Sequence, residues 1–315
     1  MELIKHDTHI NFVGRIKLAG VVSAVLILIA LGILVAKGGP RYGIDFVGGT
    51  LVQMRFNSAV SSDQIRSALV PVVGGDAAVQ PIGDEADYEF LINVPSIEKE
   101  TGLAGLSDLI AEEFEGVFGA EGFEVRRTEM VGPKVGHELR RKGMLAVVFS
   151  LLGMLAYIWF RFEFRFGVGA VIALAHDVVI TLGVLSITNT PIDLPIIAAL
   201  LTVVGYSVND TIIVCDRIRE NLRRMTRQPL AEVINVSINQ TLSRTIITSG
   251  TTLLVVITLF VFGGGVIHDF AKTLLIGVVV GTYSSVFIAS PVLLVWENWS
   301  IRRKSKSPEL KGRAV

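Results

Sequence analysis

The sequence predicts an α-helical membrane protein with six transmembrane helices and one extracytoplasmic α+β domain of ferredoxin-like order, placed between the first and second helices. Three observations predict it. Of 315 residues, 51% are hydrophobic and only 18% charged, and a mean hydropathy of +0.59 is far too high for a soluble domain of this length. Six apolar runs are each long enough to cross a hydrocarbon core of about 30 Å at about 1.5 Å per residue. Between the first two runs lies a polar stretch in which strand-like alternation and helix-like spacing take turns. The 29 basic and 29 acidic residues cancel, which argues against a nucleic-acid footprint. Cys215 is the single cysteine, so an internal disulfide and a clustered-thiolate metal site are both excluded.

The spans are expected at 16–36, 144–160, 167–187, 195–215, 242–262 and 271–295. Span one is followed by Lys37, Gly38, Gly39, Pro40 and Arg41 rather than by a small-residue cleavage site, so it reads as a retained helix. Basic residues in short loops orient the bundle. Lys5, Arg15 and Lys17 precede span one, Arg161 and Arg165 separate spans two and three, and Arg217 to Arg227 holds five arginines after span four. The tail adds Arg302, Arg303, Lys304, Lys306, Lys311 and Arg313. All four clusters share one side if both termini are cytoplasmic; the run Arg140, Arg141 and Lys142 falls on the other side. This divides the chain into a cytoplasmic N-terminus (1–15), span one (16–36), an outer domain with connectors (37–142), a five-helix bundle (143–295) and a basic cytoplasmic tail (296–315).

Within the outer domain, strands are expected at 51–56, 79–82, 88–94 and 123–130, with helices at 61–70, capped by Ser61 or Ser62, and 103–118. Strand, helix, strand, strand, helix, strand is the split βαβ order of ferredoxin-like domains. Gly48 and Gly49, before the first strand, fit a tight turn or close backbone packing. No phosphate-binding glycine pattern follows them. Gly132 and Gly136 flank Pro133 and mark a hinge candidate.

Polar residues inside the spans are the functional candidates, because a carboxylate left unpaired in lipid costs several kcal/mol. Asp210 lies 15 residues beyond Pro195 in span four, roughly 22 Å deep. Tyr206 precedes it by one turn and Gly205 precedes Asn209 by one turn, a face that joins polar groups to room for close packing. In span five Arg244, Thr248 and Thr251 or Thr252 share a face, with Asn239 and Gln240 near its start. Arg244 enters from the cytoplasmic side and can extend toward Asp210. Snorkelling to the interface is its other use. In span three His176 and Asp177 stand near mid-membrane, where imidazole chemistry suits a proton route and a packing role competes with it. Adjacent helical positions point about 100° apart, and no second histidine or thiol completes a ligand set, so neither metal nor cofactor is expected. The segment from Arg217 to Asn239 reads as a cytoplasmic amphipathic connector interrupted by Pro229.

The strings YGIDFVGGT (from Tyr42), FRFEFRFGVGAVIALAHDVVITLG (from Phe160), VGYSVNDTIIVCDRIREN (from Val204) and NQTLSRTIITSGTTLL (from Asn239) resemble the SecD/SecF family of protein-export membrane proteins, on the SecF side. The resemblance runs from about Ile10 to Val295. It implies a six-helix half of a resistance-nodulation-division bundle, a SecD-like subunit as the other half, a SecYEG-type channel, a secretory polypeptide as substrate and a YajC-like accessory subunit. It implies an auxiliary role in the bacterial cytoplasmic membrane, driven by the proton-motive force, with no enzyme activity of its own. Asp210 matches the family's acidic proton-path residue and Arg244 its span-five arginine; Asp177 matches by proximity. Asp45, Gly48 and Gly49 fall in the signature before the outer domain. A small-molecule antiporter of the same architecture and a passive structural subunit are the competing readings. An outer domain of only about 95 residues speaks against the first.

Overall fold

The computed structural model describes residues 9–73, 77–82, 87–95, 103–161 and 164–296. Lys5 and the basic tail expected at 296–315, apart from residue 296, lie outside them. The chain begins with a short 3-10 turn (Val13–Arg15) and α1 (Ile16–Ala36), then a one-turn helix α2 (Ile44–Val47). The outer domain follows as β1 (Gly49–Phe56), α3 (Ser62–Val73), β2 (Ala78–Ile82), β3 (Glu89–Pro95), α4 (Leu103–Phe118) and β4 (Phe123–Val131). The bundle is completed by α5 (Pro133–Arg161), α6 (Phe164–Ile187), α7 (Leu194–Arg224), α8 (Leu230–Phe262) and α9 (Gly265–Ser284), the last running into a π-helical turn at Ser285–Ala289. All six long helices have the length and hydropathy to cross a membrane.

The four strands form one antiparallel sheet in the order β2-β3-β1-β4. Alternation in β1 sends Val52, Met54 and Phe56 into the domain core, against Ile65, Ile110 and Phe114. Rings of Phe90, Phe114, Phe118 and Phe123 surround Phe56. The start of α3 is fixed by a reciprocal cap: Gln64 N donates to Ser61 Oγ, and Ser61 N donates to Gln64 Oε1. Both helices cover the core face of the sheet. The opposite face looks across a cavity of about 390 Å3 toward the outer ends of α7 and α9, lined by Leu91, Asn93, Arg127, Asp193 and Asp269 among others.

In the bundle, α6, α7 and α9 are the most enclosed helices, while α1, α5 and α8 stand at the periphery. Close approach is bought with small residues. A side chain at Gly277 would meet Val203 at 2.1 Å, and one at Gly281 would meet Ser207 at 3.0 Å. Three helices extend well beyond the spans the sequence suggested. Helix α7 continues through Arg217 to Arg224, and α8 begins at Leu230, so only 225–229 connects them. Ile218 is fully buried with Ile234 and Ile238 in the inner core. The expected amphipathic connector is therefore two helix ends packed on each other. Helix α5 runs unbroken from Pro133, and its 29 residues span about 43 Å, more than the hydrocarbon core. Its first turns carry the basic run, where Arg140 lies over the Tyr42 ring at 4.7 Å and Lys142 pairs with Glu138 at 2.8 Å.

Candidate functional site

Asp210 sits 16 residues after the first and 14 before the last residue of α7, and it is 4% exposed. Thr245 Oγ1, from α8, donates to its Oδ1 at 2.7 Å. Its Oδ2 is buried and accepts no hydrogen bond. Ser285 and Arg244 also stand near enough to act on its charge. The expected approach of Arg244 takes a particular form. Among the described residues no ion pair joins it to Asp210; Arg244 is exposed on α8, and the next residue, Thr245, supplies the direct bond. Thr248 returns its hydroxyl to the Arg244 carbonyl at 2.9 Å.

Tyr206, one turn before Asp210, donates to Ser249 Oγ at 3.0 Å, and Ser249 in turn meets Thr282 at 2.9 Å. This ladder links α7, α8 and α9. Gly205 and Asn209 turn the other way, into a shallow groove with Ser150, Met154 and Tyr157. Among the described residues nothing from a neighbouring element lies within 4 Å of where a Gly205 side chain would be, so they do not make the close packing expected there. Asn239 and Gln240 are also used away from Asp210. Asn239 holds the Ile10 backbone, and Gln240 accepts from Asn221.

Asp177 is 0% exposed. Its Oδ2 accepts from Ser207 at 2.5 Å and from Ser284 at 2.7 Å, and its Oδ1 lies 2.8 Å from His176 Nδ1. The His176 ring is stacked on Tyr283 at 6.1 Å, with its Nε2 buried and unpartnered. Thr181 bonds the Asp177 carbonyl, not its carboxylate. Asp177 is thus held by hydroxyls from α7 and α9, and Asp210 by a hydroxyl from α8. Burial at 0% and 4% exposure isolates both acids from lipid. Sequence reasoning singled out the acids but missed Thr245, Ser207, Ser284 and Ser285. The visible signal was the polar string Thr282-Tyr283-Ser284-Ser285 in an otherwise apolar span.

The signature before the outer domain forms its attachment. Asp45 Oδ2 accepts from Leu194 N at 2.9 Å, and Gly43 N donates to the Ile192 carbonyl at 2.7 Å. Lys37 Nζ reaches the Ser186 carbonyl and Asn189 Oδ1. Gly48 has φ +81°, and a side chain there would lie 3.0 Å from Pro133 Cα; Gly136 presses against Gly48 N in the same way. Both glycines accordingly serve one backbone crossing between α2 and the start of α5. Asp193 caps α7 by accepting from Ile196 N at 2.9 Å. Burial, assisted by Asp45 and Asp269, pushes its carboxyl up to about 6.

A six-helix bundle with sequestered carboxylates at its centre and a small domain on one face defines a membrane transport subunit. Two family models match: the C-terminal region of the protein export membrane proteins SecD/SecF over residues 111–299, and the SecD/SecF GG motif over residues 33–60. The chain is 49% identical over 311 residues to a protein translocase subunit SecF of Desulfurispirillum indicum, covering 98% of both chains. It is 48% identical to that of Magnetococcus marinus, covering 96% of this chain and 97% of the relative. It superposes with TM-score 0.83 and 39% identity on SecDF, a translocon-associated membrane protein, from Thermus thermophilus. That match covers 94% of this chain and 40% of SecDF. The chain belongs to the SecF family of the SecD/SecF protein-export machinery, and it is a multi-pass membrane protein with an auxiliary transport role.

Proposed function

We propose that the chain works with a SecD-like subunit to couple the proton-motive force to export of secretory polypeptides through a SecYEG-type channel. Asp210 gains and loses the proton, and Arg244 tunes it from α8. The observation that carries this reading is the Asp210 carboxyl itself: it lies midway along α7, one oxygen is held by Thr245, and the other is buried without a partner. A group needed only for packing would have both oxygens satisfied, as Asp177 does.

The need for a partner is supported by the polar face left on the bundle. Asn209 of α7 and Arg244, Thr248 and Thr251 of α8 are exposed along helices that cross the membrane, and lipid cannot satisfy Asn209 or Arg244. A SecD-like half of a resistance-nodulation-division bundle would cover them. A YajC-like subunit belongs to the same proposed assembly. The strand order β2-β3-β1-β4 with both helices on one face supports a ferredoxin-like reading of the outer domain. The cavity beneath the sheet offers that domain a place to meet an emerging polypeptide. Both termini are assigned to the cytoplasm on loop charge.

The test is secretion in membrane vesicles with and without an imposed proton gradient. Asp210→Asn keeps the size and the acceptor for Thr245 but removes the titrating proton, so stimulation by the gradient is expected to vanish while insertion and partner binding persist. Arg244→Ala is expected to impair the same step. Normal stimulation in both variants would refute the coupling role and favour a structural subunit.

A further inference from the structure

Asp177 and Asp210 are on different helices, yet adjacent residues of α9 serve them. Ser284 donates to Asp177 Oδ2 at 2.7 Å, and Ser285 Oγ lies 3.0 Å from the hydroxyl of Thr211, the residue after Asp210. Consecutive helical side chains point about 100° apart, which is what lets one helix address an acid on each side. The two serines also converge on one acceptor. The Gly281 carbonyl is met by the Ser285 backbone N–H, by Ser285 Oγ at 2.9 Å and by Ser284 Oγ at 3.1 Å. A carbonyl oxygen has two lone pairs and each hydroxyl has one hydrogen. Three donors on one carbonyl therefore compete, and the π turn at Ser285–Ala289 begins at this point. Single π turns inside helices recur at functional positions.

We infer that the Gly281 carbonyl with Ser284 and Ser285 is a hydrogen-bond exchange point, through which the proton on Asp210 sets which donors that carbonyl holds and the geometry of the π turn in α9. When Asp210 is protonated it can donate to Ser285 Oγ, and Ser285 keeps its own hydrogen on Gly281. Ser284 then gives its hydrogen to Asp177. When Asp210 is ionised it draws the Ser285 hydrogen, and Thr211 Oγ1, 3.0 Å from Ser285 Oγ, is left to support the hydroxyl. Gly281 then keeps the Ser285 backbone N–H and the 3.1 Å contact with Ser284, whose hydrogen stays on the stronger acceptor, the Asp177 carboxylate. Ser207 remains on Asp177 in both states. Ser284 and Ser285 are positioning residues in this scheme. Other titratable or charged groups around the junction are His176 from α6, Arg244 from α8 and Tyr283 from α9.

The inference rests on the reading of Asp210 as a titrating group, and its test does not depend on export. The chain holds three Gly-Thr pairs, Gly49-Thr50, Gly250-Thr251 and Gly281-Thr282. Labelling glycine carbonyl carbon and threonine nitrogen therefore isolates three carbonyl resonances in lipid-reconstituted full-length protein with its partner. Gly250→Ala removes one resonance and aids assignment. The Gly281 resonance is expected to shift with pH in the wild type, to lose its pH dependence in D210N and in S285A, and to regain it in S285T, which restores the hydroxyl. A purely structural serine would leave the titration in place. A Gly281 signal that is flat in the wild type, or that titrates unchanged in S285A, would overturn the inference. Gradient-stimulated export that survives D210N while the Gly281 titration stays normal would instead refute the coupling function and leave the exchange point standing.

Discussion

At the scale of single residues, what separates the two buried acids is how completely each is bonded. Asp177 has both oxygens engaged and no exposure, so it anchors α6 to α7 and α9; Asp210 has one oxygen open. Hydropathy and helical spacing in the sequence could find both, because a carboxylate in an apolar run is conspicuous whatever surrounds it. Their partners were not legible. Serine and threonine are common in spans and usually bond their own helix, as Thr248 and Thr251 do. Only the three-dimensional crossing of α7, α8 and α9 tells Thr245, Ser284 and Ser285 apart from them. Gly48 makes a sharper prediction of the same scale. Its φ of +81° with ψ of 156°, in a region essentially closed to residues other than glycine, and the 3.0 Å approach to Pro133 mean that Gly48→Ala adds backbone strain of about 1–3 kcal/mol to a tight contact. The unfolding midpoint in detergent should fall, whereas Gly116→Ala, in open space on α4, should leave it level or raise it. Equal midpoints would remove the argument for a glycine at position 48.

At the scale of elements, periodicity located the strands and helices of the outer domain to within a few residues, and α1 and α4 end to end. Helices α5, α7 and α8 run past the expected spans for one reason. Hydropathy marks where lipid begins, but a helix continues while its backbone bonds and side chains find partners, and Ile218 and Ile234 find each other beyond that boundary. The same argument explains Arg140, Arg141 and Lys142: they belong to the first turns of α5, where Arg140 finds the Tyr42 ring and Lys142 finds Glu138. The Gly132 to Gly136 hinge candidate is likewise constrained, since Gly136 is buried within α5 against Gly48. The start of α7 carries a pH prediction. Asp193 titrates near 6 in the folded protein against an ordinary 3.8, so the folded state binds the proton more tightly than the unfolded one. Stability from this group is full below about 3.8 and is lost as pH rises to about 6. Asp193→Asn keeps an oxygen for Ile196 N, and the difference in unfolding midpoint between the variant and the wild type should change across that window and be constant above it. A difference independent of pH would show that Asp193 is not held in the buried cap.

At the scale of the whole molecule, the outer domain is tied to the bundle by Lys37, Gly43 and Asp45 on one side and by the Gly48–Pro133 crossing on the other. Motion of the domain would have to release the Asp45 and Lys37 contacts, because Gly48 and Gly136 are pressed against backbone. With Cys215 replaced, a reducible bis-thiol crosslinker between cysteines at the Asn93 and Asp269 positions, across the cavity, is expected to block export reversibly on reduction. Unchanged export at complete crosslinking would show that the domain works in place. The central claim is that a proton moves by way of Asp210, and it is tested most directly by proton flux. The chain and a SecD-like partner are reconstituted in liposomes containing a pH-sensitive dye, and a pH step is imposed. The wild type is expected to conduct protons and Asp210→Asn to fall to the rate of empty liposomes; flux of equal size in both would contradict the account.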